Sequence, residues 1–176
     1  MRRAMLILLL VLILTGAAAR GGLAEAAADP GVCGDDCQSC QVLQTVALGS
    51  FADFDPNDSL SVRVFSAALP RLTAIAPADV NHYLMHFSLD RSVLMEDLYV
   101  AMGNCLWADT IITPEPEDEA AGQARRVLML FLNPSGEENA AAQISAIRSH
   151  ASQESLSLIA ENAGVPLAFV THLIQQ

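Results

Sequence analysis

The sequence predicts an all-α fold, an irregular bundle of about six to eight short helices, and three observations predict it. Apolar residues recur at three- and four-residue spacing through most of the chain, as one buried helical face requires. Asp, Ser, Pro and Gly interrupt that pattern where helices start and stop. No alternation of period two lasts long enough to argue for a sheet; only the apolar run 127–132 also fits a buried strand.

Taken in order, Asp35 and Asp36 can cap a first helix over residues 37–51, with Cys40, Leu43, Val46, Ala47 and Phe51 at helical spacing. Residues 53–58, with Pro56, read as a turn. A second helix over 59–75 aligns Leu60, Val64, Phe65, Ala68, Leu69 and Leu72, and Pro70 should kink or end it. A third runs from 77–79 to 87. A fourth, over 91–107 and capped from within 88–90, carries Leu94, Leu98, Ala101, Met102 and Cys105 on one face. An acidic linker near 113–119 leads into a helix that Asn133-Pro134 stops at Leu132. Three short helices follow, over 136–149, 152–163 and 166–175, with Gly164 between the last two. No internal repeat is present.

The N-terminus has a different composition. Arg2 and Arg3 precede an apolar run from Met5 to Leu14, and Ala17, Ala18 and Ala19 follow. That is the pattern of a cleaved secretory signal, with 1–19 removed; Ala24-Glu25-Ala26 offers a later cut. The run is short of the about 20 apolar residues a spanning helix needs. The expected product is a secreted or periplasmic protein with no membrane segment, made of a Gly- and Ala-rich leader over 20–32 and one helical domain over 33–176. Its length suits a single domain and its apolar content suffices for a core.

The chain carries 9 basic and 20 acidic residues, and every basic one is arginine. Loss of 1–19 removes two arginines and no acid. Such a surface repels phosphate backbones and anionic lipid, so nucleic acid is excluded as a partner; it suits a cationic partner, a metal ion, or simple solubility.

Four cysteines, Cys33, Cys37, Cys40 and Cys105, all follow the signal. An even count in an exported chain predicts disulfides, and four cysteines allow three pairings. The expected role is to staple the N-terminal segment to the helix carrying Cys105. Cys37-Gln38-Ser39-Cys40 is also a CxxC, the arrangement of thiol–disulfide exchange proteins, although Asp35 and Asp36 would raise the thiol pKa. The spacing Cys33-x3-Cys37-x2-Cys40 resembles the cluster motif of radical S-adenosylmethionine enzymes, without the large barrel they need. It also resembles the start of opioid neuropeptide precursors, over residues 33–41 only and without their further cysteines or peptides.

Three further segments carry recognisable chemistry. Asp53-Phe-Asp55-Pro-Asn57-Asp58-Ser59-Leu60-Ser61 resembles the start of an EF-hand calcium loop. The resemblance implies calcium held by Asp53, Asp55, Asn57 and Ser59. Asp58 replaces the glycine and Val64 the bidentate Glu, so binding would be weak; an Asx-type turn is the competing reading. His82 and His86 lie one turn apart on one helical face, a spacing that can hold a metal with a third ligand or act as a pH sensor.

Ser155 to Val170 resembles the helix-turn-helix of bacterial repressors, through Ile159-Ala160, Ala163-Gly164-Val165 and Val170. The resemblance implies a tight helical hairpin over about the last 22 residues. Where a repressor reads DNA, this chain offers Leu167, Ala168, Phe169, Thr171 and His172 and no arginine. Leu167, Phe169 and His172, if exposed, are a contact for a protein partner. No nucleophile elbow and no phosphate-binding loop occur. The expected function is therefore a non-enzymatic protein-binding or structural role outside the cytoplasm. A weak calcium binder and a thiol–disulfide protein are the alternatives.

Overall fold

Four helices of the described residues start on side chains that take up orphan backbone groups. The computed structural model describes residues 38–49, 51–87, 90–113, 116 and 118–176, which belong to one compact unit, Asp35–Gln176. Eight α-helices and a single 3₁₀ turn account for most of them, and no strand occurs among the described residues. The helices are α1 Gln38–Ala47, α2 Ser59–Thr73, α3 Pro77–Phe87, α4 Arg91–Ile112, α5 Glu119–Leu132, α6 Ala140–His150, α7 Gln153–Ala163 and α8 Leu167–Gln175. The expected signal segment and leader, with Cys33 and Cys37, lie outside the described residues.

Three aspartates start three helices. Asp58 accepts from the backbone N–H groups of Leu60 and Ser61 to open α2, Asp90 from those of Ser92 and Val93 to open α4, and Asp118 from that of Ala120 to open α5. Each satisfies donors that the first helical turn leaves unpaired. The start of α7 is a reciprocal serine pair. Ser155 N–H donates to Ser152 Oγ at 3.1 Å, and Ser152 N–H donates to Ser155 Oγ at 2.9 Å.

Pro70 lies inside α2, which ends three residues later at Thr73. It stands in the last turn on the exposed side, where the lost hydrogen bond is close to the helix end. The run 127–132 is the end of α5, with Leu128 and Leu130 buried, so the helical reading holds over the strand. α4 extends five residues past the expected end, to Ile112, because Leu106 and Ala108 continue its buried face.

The core is continuous. α4 packs most extensively on α2 and also meets α1 and α5; α5 packs on α7 and α8, and α7 on α8. Leu43 and Val46 of α1, Phe65 and Leu72 of α2, Met102 and Leu106 of α4, Leu128 of α5, Leu156 of α7 and Val170 and Ile174 of α8 belong to one buried cluster. Cys105 is in that cluster, 0 % exposed, with a free thiol. The expected staple onto α4 is thereby corrected: α4 holds its place by burying several sides, and Cys105 serves it as a small apolar side chain. Cys40 is half-buried on α1.

One polar knot crosses the core. Asp109 of α4 accepts from Ser66 Oγ of α2 at 3.2 Å and is ion-paired with Arg125 of α5. Arg125 also donates to the carbonyl of Thr113 at 3.3 Å. A half-buried carboxylate thus ties three helices, with its charge matched.

Candidate functional site: an aromatic groove

Phe51, Phe54 and Phe65 fix the turn that links α1 to α2. Both turn rings meet Phe65 of α2 edge-on at 5.0 Å between centroids. Asn104 of α4 donates through Nδ2 to the carbonyl of Phe51 at 2.7 Å, and Asp55 N–H donates to Ser61 Oγ at 3.2 Å. The turn is therefore held against both α2 and α4, which places Phe54 and Pro56 at the edge of α4.

On the other side, α8 lies beside α4 through Tyr99. The Tyr99 ring is 6.1 Å from that of Phe169 and 4.4 Å from that of His172. His172 Nε2 is 3.6 Å from Glu96 Oε2, and His172 Nδ1 is 2.8 Å from Gln176 Nε2. Burial raises the Tyr99 phenol above its ordinary value.

Between these walls runs a groove of about 480 Å³. Phe54 and Pro56 come from the turn, Tyr99, Val100, Gly103, Asn104 and Trp107 from α4, Leu132 from the end of α5, followed by Asn133, and Phe169, His172 and Leu173 from α8. Gly103 is what lets α5 close the end: a Cβ there would stand 3.0 Å from Leu132 Cδ2. Its volume and its mixture of aromatic wall with a few polar groups match a ligand-sized site. A second cavity of about 430 Å³ adjoins the groove at Trp107 and Asn133 and includes Arg125, Arg126, Glu119 and Glu137. Its Arg125 is already committed to Asp109.

The residues singled out in the sequence fare differently. The α7–α8 hairpin has the geometry its motif implies, with Gly164 left-handed at φ 67° and Val165 buried. Phe169, however, is 1 % exposed, so it forms no surface patch. It turns inward because α8 must cover α4 and α5, which is where an apolar helix face goes when no DNA groove awaits it. Leu167 and His172 are half-buried, and of the three only Phe169 and His172 line the groove.

In the turn, Asp53, Asp55, Asn57 and Ser59 are all exposed. Asp55 Oδ1 accepts from Asn57 N–H at 2.9 Å and Asn57 Nδ2 at 3.2 Å, and Asp58 caps α2. These bonds are those of an Asx-type turn feeding a helix. Among the described residues no three His, Cys, Asp or Glu side chains come together in a metal-holding group. His82 is half-buried on α3, and the side chain of His86 lies outside the described residues.

Tyr99, Val100, Trp107, Leu132 and Phe54 line the groove without a local sequence signal for it. Only two faint cues exist: Trp107 is the single tryptophan, and Phe54 interrupts an acidic turn. Compared with known protein families, curated proteins and solved structures, the chain matches none. No helix of the described residues is long and apolar enough to cross a membrane.

Proposed function

We propose that the protein is exported, loses residues 1–19, and binds another protein through the aromatic groove without turning over a substrate. The observation that carries this reading is the convergence of Phe54, Tyr99, Trp107 and Phe169 on one concavity. Aromatic side chains in a concave site give large contact area for little lost side-chain freedom and dominate binding hot spots. The ionisable side chains lining the groove are Tyr99 and His172, and neither is paired there with a nucleophilic hydroxyl or thiol. That composition supports holding a side chain more than making or breaking a bond. Pairing among Cys33, Cys37 and Cys40 belongs to the same proposal, as a brace for the start of the domain in an oxidising compartment.

Val100 is 46 % exposed and lines the groove, so Val100→Arg changes the contact without touching the core. Wild-type and Val100→Arg proteins, matched in melting temperature, are immobilised and challenged with the native extracytoplasmic fraction. A partner retained by the wild type and lost by the variant is expected. Equal retention by both would remove the groove as the contact.

A further inference from the structure

We infer that the groove receives an apolar side chain carried on a cationic peptide segment of the partner, an inference that rests on the groove being the contact. About 480 Å³ is far too small for a folded domain and of a size for one or two anchoring side chains. The walls choose what enters: the half-buried Tyr99 and Trp107 offer ring faces and edges to an aliphatic or aromatic anchor, backed by the buried Phe169.

The rim chooses what flanks it. Asp53, Asp55 and Asp58 are exposed on the turn that supplies Phe54 and Pro56, and Glu96 is exposed across the groove beside His172. Asp53 and Asp55 adjoin lining residues in the chain, so their charges act within the Debye length of about 8 Å at physiological salt. No arginine lines the groove. Arg91, whose charge reaches Tyr99, is hydrogen-bonded to Asn81 of α3. Basic groups on either side of an apolar anchor therefore meet complementary charge.

The same charges argue against other occupants. A second copy of the chain carries the same acidic excess, net −11 over the full sequence and more negative without Arg2 and Arg3, and meets like charge with like. Residues 20–32 of this chain hold Arg20 against Glu25 and Asp29, so the leader is not cationic. An anionic lipid surface is repelled. An amphipathic segment that lays an apolar face into a groove, with lysine or arginine beside it, fits what remains.

The full mature chain is titrated with a short synthetic amphipathic helix of Lys, Leu and Phe, and with its twin carrying Glu in place of every Lys. Trp107, the only tryptophan in the chain, lies in the groove wall and reports occupancy by its emission. The expected result is an emission shift with the Lys peptide and binding at least about tenfold tighter than the Glu twin. That preference should shrink as salt is raised toward about 1 M, and Val100→Arg should abolish binding while its melting temperature holds. In the triple variant Asp53→Asn, Asp55→Asn, Glu96→Gln, the preference for Lys should fall and the emission shift should persist. Equal binding of the twins, a preference for Glu, or no binding by either overturns the inference. A preference for Glu that Val100→Arg destroys leaves the groove standing as the contact. Lys-peptide binding that Val100→Arg leaves unchanged removes the groove itself.

Discussion

Cys105 shows what burial does to a titratable side chain. It is sealed in the core of α4, and desolvation pushes its thiol far above the ordinary cysteine range. Below the ordinary thiol pKa of about 8.5 both folded and unfolded chains keep the proton. Above it the unfolded chain releases the proton and the folded chain does not, so stability falls as pH rises. The expected slope steepens from about pH 8.5 and approaches about 1.4 kcal/mol per pH unit by about pH 9.5, read by urea unfolding, and Cys105→Ala should remove it. Tyr83 and Tyr99, also raised by burial, add the same sign only beyond about pH 10. Asp90 has the opposite sense: the bonds from Ser92, and then from Val93, hold its carboxylate below the ordinary range. Its contribution is complete above the ordinary aspartate pKa and disappears as acid titrates it. The Cys105 position on the helix face was legible from spacing alone, but its state was not, because bonding between cysteines depends on distances only the tertiary fold sets.

At the scale of the element, the hairpin of α7 and α8 turns on a single backbone angle. Gly164 is left-handed and nothing lies within 4 Å of where a Cβ would be. Gly164→Ala should cost backbone strain and no clash, about 1 kcal/mol, lowering the melting temperature by about 2–4 °C. A much larger loss would mean that the turn is crowded in a way the geometry does not contain. Boundaries such as Asp58, Asp90 and Gly164 were readable because caps and left-handed turns are local chemistry. The extension of α4 past Trp107 was not, since tertiary burial outweighs local preference there. The inward turn of Phe169 has the same origin: helical spacing marks an apolar residue but does not say which neighbour claims it.

For the whole molecule, the question is whether α8 belongs to the core or merely leans on it. Phe169, Val170 and Ile174 are essentially without exposure, and Arg148 of α6 donates to the carbonyl of Ile174 at 2.9 Å while lying 5.6 Å from the Phe131 ring centre. Phe169→Ala should therefore cost about 3–5 kcal/mol in urea unfolding, a large part of the 5–15 kcal/mol typical of a domain. A loss under about 1 kcal/mol would make α8 an accessory. All-helical architecture could be read from periodicity because helical contacts along one element are local. The groove could not, because its walls come from residues about 120 positions apart in the chain, and no pattern in a linear string marks such a meeting.

Phe169 stands at once in the packed interior and in the wall of the concavity, so ligation and folding are thermodynamically linked. Whatever seats itself there adds its weight to the native side of the unfolding equilibrium, in proportion to the logarithm of its concentration over its dissociation constant. Conversely, loosening the last helix dismantles the receptor together with the scaffold.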